Sequence, residues 1–232
     1  MIPNGVEAAR FAAAAGPAPA AAAARARWRA RLGKFVLAVG GIEPRKGTAD
    51  LVEAMALLGT RLPAGEPVPA LVVAGGETLF DYRYYRARVL ARAAELGVEP
   101  VLLGPVAHED LPSLVAAAGV FAFPSVREGF GLAAMEALAA RVPVVARDLP
   151  VLREVFTGAV RFADGPSGLA GALATALAAP DEARLVAGAA LAARHSWDAA
   201  ALAHAALYRR LLAGHPIGAA PDAEPTYSAV QP

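Results

Sequence analysis

The chain has no cysteine among its 232 residues, which removes disulfides, thiolate zinc sites and a cysteine nucleophile from consideration. Lysine is nearly as scarce. It occurs only at Lys34 and Lys46, so almost all positive charge is arginine. The formal net charge is +1, whereas a nucleic-acid surface needs a clustered basic excess. The four histidines, His108, His195, His204 and His215, show no metal-ligand spacing. No run of about 18 uninterrupted apolar residues appears, so no membrane-spanning helix is expected. The alanine-rich stretch 12–24 is broken by Gly16, Pro17 and Pro19 and lacks a preceding basic region, which does not fit a signal peptide. These absences lead to the expectation of a soluble cytoplasmic protein that needs no metal.

What is present is apolar and periodic. Hydrophobic residues make up 56% of the chain, enough for a large core. Short β-prone runs at 35–39, 70–74, 101–103, 119–123, 142–146 and 159–163 read as strands. Helical spacing falls near 47–58, 80–96, 109–118, 131–140, 166–178, 181–194 and 197–212. Strands alternating with helices predict an α/β fold, with a parallel sheet of about six strands covered on both faces. Residues 12–24 read as an expanded low-complexity loop and 60–69 as a connection. Residues 213–232, with four prolines and no periodicity, read as a disordered tail.

The richest segment is Pro124-Ser125-Val126-Arg127-Glu128-Gly129-Phe130-Gly131-Leu132, with Glu136 following. The run before it, Val120-Phe121-Ala122-Phe123, reads as a buried strand. The residues after Gly131 take helical spacing through Met135 and Leu138. A strand, a glycine-containing turn and a helix start form an anion site whose free backbone N–H groups face a ligand. Gly129 and Gly131, lacking Cβ atoms, let that backbone approach closely. At ~1.5 Å rise per residue the two glutamates stand roughly 10 Å apart. Hydrolytic carboxylate pairs sit about 5–9.5 Å apart, so this pair suits gripping two parts of a long ligand. In a parallel sheet, ligands bind beyond the C-terminal strand ends. The loops after 35–39 and 119–123 lie there.

This segment resembles the Glu-x7-Glu donor motif of the retaining GT-B glycosyltransferases, the "glycosyl transferases group 1" family. Further stretches resemble that family in its order, over roughly residues 1–212. Ile2-Pro3-Asn4-Gly5-Val6 resembles its hinge. Val39-Gly40-Gly41-Ile42-Glu43-Pro44-Arg45-Lys46-Gly47 resembles its phosphate-gripping loop. Leu103-Gly104-Pro105-Val106 with Leu111-Pro112 resembles its base-lining segment. Val142-Pro143-Val144-Val145-Ala146 with Glu154, and Ser196-Trp197 opening the last helix, also fit.

The resemblance implies a Rossmann-like domain, the C-terminal half of a GT-B fold, that binds a nucleotide-diphosphate sugar and needs no metal. It implies that Lys46 grips the diphosphate and that Glu128 accepts hydrogen bonds from the donor sugar. Glu136 would accept from the ribose hydroxyls. The backbone at Gly129, Phe130, Gly131 and Leu132 would meet the sugar and diphosphate, and Val106 the base. Gly40, Gly41 and Arg45 complete the expected diphosphate contacts. Where the family usually carries an arginine after the first glycine, this chain has Gly41; Arg45, adjacent to Lys46, is positioned in sequence to supply that charge. Tyr82, Tyr84 and Tyr85 read as packing or rim residues. Asp148 and Glu154 read equally as cleft-lining or as salt-bridged residues.

In this family the acceptor belongs to a first domain that precedes the hinge motif. That domain is therefore expected to be absent here, and the apolar positions Leu202, Ala206, Tyr208, Leu211 and Leu212 of the last helix to lack cover. The expected function is the donor-binding half of a retaining hexosyl-type glycosyltransferase, inactive or weakly active alone, with a separate acceptor-domain chain as a possible partner. The alternative is a non-catalytic nucleotide-sugar binding module. A dinucleotide-dependent dehydrogenase fits poorly, because Gly40-Gly41-Ile42-Glu43-Pro44-Arg45 does not give the Gly-x-Gly-x-x-Gly turn.

Overall fold

The computed structural model describes residues 2–76 and 80–213. Six strands form one sheet: β1 (Phe35–Val39), β2 (Ala70–Ala74), β3 (Val101–Gly104), β4 (Val120–Phe123), β5 (Val144–Arg147) and β6 (Arg161–Ala163). Their order is β3-β2-β1-β4-β5-β6, and every pairing is parallel. The order reverses between β1 and β4. That reversal opens a crevice at the C-terminal ends of these two strands, the general ligand position of open parallel sheets.

Successive side chains leave a strand on opposite faces, and the apolar strands of this sheet supply a core on each side. On one face Phe35, Leu37, Phe121, Phe123, Val144 and Ala146 pack against helical residues such as Leu114, Met135, Leu138, Leu152 and Phe156. On the other, Val36, Leu71, Val73, Val120, Ala122 and Val145 pack against Leu51, Met55, Val89, Leu169 and Leu173. The first layer comprises α1 (Ala8–Ala15), α2 (Pro19–Leu32), α5 (Leu111–Ala117), α6 (Leu132–Ala139), α7 (Pro150–Phe156) and α9 (Glu182–Arg194). The second comprises α3 (Thr48–Leu58), α4 (Arg83–Glu95) and α8 (Gly165–Ala178). The α/β fold with helices on both faces is as expected from the sequence.

The expected loop over 12–24 is corrected. Those residues belong to α1 and α2, joined by a short link around Gly16. Alanine has the highest helix propensity, and Pro19 sits at the first turn of α2, where its missing N–H leaves no bond unmade. The arginines of α2 are not only surface charge. Arg25 donates to the carbonyls of Ala14 and Gly16, closing the end of α1, and Arg29 donates to Ala117 at the end of α5. Trp28 Nε1 donates to Ser113 Oγ at 2.9 Å. Helix α7 was not expected from the sequence. Strands β5 and β6 begin two residues later than the apolar runs that announce them.

The hinge-like segment packs on the start of α10 (Trp197–Leu212). Val6 N–H donates to His195 O at 2.7 Å, and a Cβ on Gly5 would stand 2.4 Å from the Trp197 Cα. Along α10 the side chains of Trp197, Leu202, Tyr208, Leu211 and Leu212 are exposed, as is Ala206. The expected disordered tail lies outside the described residues from Gly214 onward, while Ala213 is the C-cap of α10. Among the described residues no helix is long and apolar enough to cross a membrane.

Candidate functional site

Two loops meet at the crevice between β1 and β4. The β1–α3 loop carries Gly40, Gly41, Glu43, Arg45 and Lys46; the β4–α6 loop carries Ser125 to Gly131. They are tied by main chain, Val126 N–H donating to Arg45 O at 2.8 Å. Between them Gly47 takes φ +65°, and a Cβ there would stand 2.1 Å from the Pro124 carbonyl oxygen. Only glycine permits both that conformation and that approach.

The tie brings together the residue expected to grip the diphosphate and the residue expected to meet the donor sugar. Lys46 Nζ donates to Glu128 Oε1 at 2.7 Å, both side chains being largely buried. The ammonium also lies 5.6 Å from the centroid of the Phe123 ring, within cation–π range. The Lys46 stem crosses Gly40, whose Cβ would come 3.2 Å from Lys46 Cε. The Gly40 N–H is itself committed to Ala74 O at 2.8 Å, so Gly40 contributes space rather than a donor.

Glu43 was not singled out from sequence. It is buried and holds Arg45 at 2.7 Å, while Arg45 approaches Glu128 Oε1 at 3.6 Å. Two carboxylates and two cations thus form one cluster. It borders a pocket of about 350 Å³ lined by Gly40, Gly41, Glu43, Arg45, Lys46, Val106 and Leu111, among others. Five expected site residues therefore share one cavity: Gly40, Gly41, Arg45, Lys46 and Val106. Glu128 joins them through Lys46.

At the far end of the β4–α6 loop, Gly131 takes φ +95° and serves as N-cap of α6 without a side-chain cap. The first N–H groups of α6, from Leu132 on, are left for an external acceptor. Gly129 is exposed, with nothing within 4 Å of where its Cβ would be. Phe130 rests on the His195 ring, 5.6 Å between centroids, which couples this loop to the hinge-like segment.

Glu136 sits one turn into α6, facing α1. Burial pushes its carboxyl up to about 7, the negative charge of Glu7 adding to the shift and Arg10 opposing it. Arg10 holds Glu7 Oε2 at 3.0 Å and the His108 carbonyl at 2.6 Å, and also touches His108 Nε2. His108 lies two residues beyond Val106, so one guanidinium links α1 to the loop that follows β3. Sequence spacing gave no sign of this cluster.

A second residue missed from sequence is Arg147, which is buried at the end of β5. Its Nε donates to Pro124 O at 2.8 Å, Nη1 to Asp164 at 2.9 Å, and Nη2 to Asp50. Ser125 Oγ is fully buried and has no hydrogen-bond partner. Tyr85 packs against the second core layer, Tyr84 is exposed, and Tyr82 lines a neighbouring pocket of about 440 Å³. Asp148 is paired with Arg153, whose guanidinium holds its carboxyl below the usual range. Among the described residues no group of three metal-ligating side chains occurs.

Known proteins share this fold. The model of the family described as glycosyl transferases group 1 matches residues 25–186. A D-inositol 3-phosphate glycosyltransferase from Salinispora tropica is 34% identical over 211 residues, 85% of this chain and 43% of its own length. The O-antigen chain mannosyltransferase B of Escherichia coli is 38% identical over 133 residues, 56% of this chain and 32% of its own length. The chain thus spans a third to a half of these relatives. A sucrose-phosphate synthase from Thermosynechococcus elongatus superposes with TM-score 0.75 and 28% identity, over 92% of this chain and 52% of that one. The Anabaena HepE protein, in complex with UDP and glucose, shares the fold with TM-score 0.72 and 23% identity, over 88% of this chain and 55% of its own. The matched fold is that of the GT-B glycosyltransferases, and the chain belongs to the glycosyl transferases group 1 family.

Proposed function

We propose that this chain is the donor-binding part of a retaining glycosyltransferase and takes a nucleotide-diphosphate sugar as its ligand. The observation that carries the reading is the 2.7 Å contact of Lys46 with Glu128 at the strand-order reversal. A cation for the diphosphate and a carboxylate for sugar hydroxyls stand side by side where such a ligand would lie.

In this reading the diphosphate lies over Gly40 and Gly41, against Lys46, with Arg45 as the second cation. The sugar meets Glu128 and the backbone from Gly129 to Leu132. The base lies along Val106, and the ribose reaches Glu136. When the glycosidic bond breaks, negative charge develops on the leaving diphosphate. Lys46 and the uncapped start of α6 meet that charge, so the chemistry asks for no metal. Each charge-assisted hydrogen bond of this kind is worth roughly 1.5–3 kcal/mol. In the family the acceptor side belongs to the first domain, so transfer by this part alone is expected to be slow or absent.

Hydrogen exchange tests the placement. Saturating UDP, GDP or ADP should slow the amides of 40–47 and 128–134 and leave α8 unchanged. Protection confined to other segments would contradict it.

A further inference from the structure

The Lys46–Glu128 pair joins the two groups that the donor would need, so a ligand that draws Lys46 toward its phosphates weakens that contact. We propose that this pair makes the site discriminate between a nucleotide sugar and the bare nucleotide diphosphate, penalising the bare form. The inference rests on the reading above.

The geometry sets the exchange. Glu128 Oε1 receives Lys46 Nζ at 2.7 Å, and its side chain is only 11% exposed. Among the described residues, Arg45 is the other cation paired with that oxygen, at 3.6 Å. This is beyond hydrogen-bond length, and Arg45 is held by the buried Glu43 at 2.7 Å. A diphosphate that draws Lys46 away leaves the Glu128 carboxylate poorly partnered in a largely buried position, which is unfavourable.

An attached sugar changes the outcome. Its hydroxyls donate to Glu128 as Lys46 leaves, so the carboxylate exchanges one donor for others. Once the sugar is transferred, the remaining nucleotide diphosphate again competes with Glu128 for Lys46. The pair therefore favours entry of the intact donor and departure of the spent nucleotide. The phosphate loop and the sugar carboxylate are thermodynamically coupled through one hydrogen bond.

Titration calorimetry of the chain and of Glu128→Gln tests this, using UDP, GDP and ADP and their glucose and mannose conjugates. For whichever nucleotide binds, removing the charge should tighten the bare diphosphate roughly three- to tenfold while weakening the conjugate. Opposite signs for the two ligands are the signature. A merely structural role for Glu128 would weaken both, and that result would overturn the proposal, as would an unchanged bare diphosphate. If Glu128→Gln does not fold, Glu128→Asp, which shortens the reach to Lys46, must still tighten the bare form. Failure of the wild-type chain to bind any of these ligands would overturn the donor-site reading together with the inference. Binding without the opposite shifts would overturn the inference alone.

Discussion

Arg147 Nε donates to the carbonyl of Pro124 at 2.8 Å, so a buried guanidinium on β5 fixes the first residue of the loop that carries Glu128. Its other nitrogens reach Asp164 and Asp50, and Asp50 lies in the first turn of α3, just after Lys46. One side chain thus sets the spacing of both loops of the crevice without facing the pocket. Arg147→Ala leaves the Pro124 carbonyl and the carboxylates of Asp50 and Asp164 without that partner. It should lower stability by about 2–4 kcal/mol, read as a reduced urea midpoint at an unchanged slope. Arg147→Lys should lose less, because it keeps the charge but not the planar fork.

Gly47→Ala places a methyl where the Pro124 oxygen stands 2.1 Å away, on a residue at φ +65°. Conformational strain alone amounts to about 1–2 kcal/mol, and the clash adds to it by pushing the two loops apart. The expected result is a lower unfolding temperature together with loss of nucleotide binding. A variant of unchanged stability would show that the loops yield easily.

Glu136 gives the site a pH dependence with a defined sign. Its carboxyl is raised from 4.5 to about 7 by burial first and by Glu7 second. Between those values the unfolded chain has lost a proton that the folded chain keeps. Stability from this group is therefore greatest at low pH and declines as pH rises through 7. The shift corresponds to at most about 3 kcal/mol, fewer after allowance for partial solvent access. Glu136→Gln should flatten the stability profile between pH 5 and 8 as followed by thermal unfolding.

Ligand binding should run the other way in the same pH window. If the ionised carboxylate accepts from ribose hydroxyls, nucleotide affinity rises from pH 6 to pH 8 in the wild type. In Glu136→Gln it should be weak and nearly level. Affinity that falls with rising pH would remove Glu136 from the ribose contact.

The sequence carried the sheet plainly, because strands buried on both faces read as unbroken apolar runs such as Phe35–Val39 and Val120–Phe123. Lys46 and Glu128 were also legible, each sitting in a glycine-bearing turn between a strand and a helix. Helix α2 was not, since its apolar residues are mostly alanines that form no stripe, and two of its arginines, Arg25 and Arg29, bond the ends of neighbouring helices. Arg147 follows Val144, Val145 and Ala146 like any strand-ending surface charge, and its burial depends on Asp50 and Asp164 arriving from elsewhere. The contact of Arg10 with His108, 98 residues apart, is likewise set by packing alone. The charge cluster of Glu43 with Arg45 lay within the recognised motif, but the direction of neighbouring side chains in a loop is not written in spacing.

In the function proposed above, Lys46 and its crevice hold a nucleotide diphosphate. Calorimetric titration of the chain with UDP, GDP and ADP, repeated on Lys46→Ala, tests it most directly. At least one nucleotide should bind saturably to the wild type, and binding should fall roughly tenfold or more in the variant, the scale of one charge-assisted hydrogen bond. Equal binding by wild type and Lys46→Ala, or binding by neither, would contradict it.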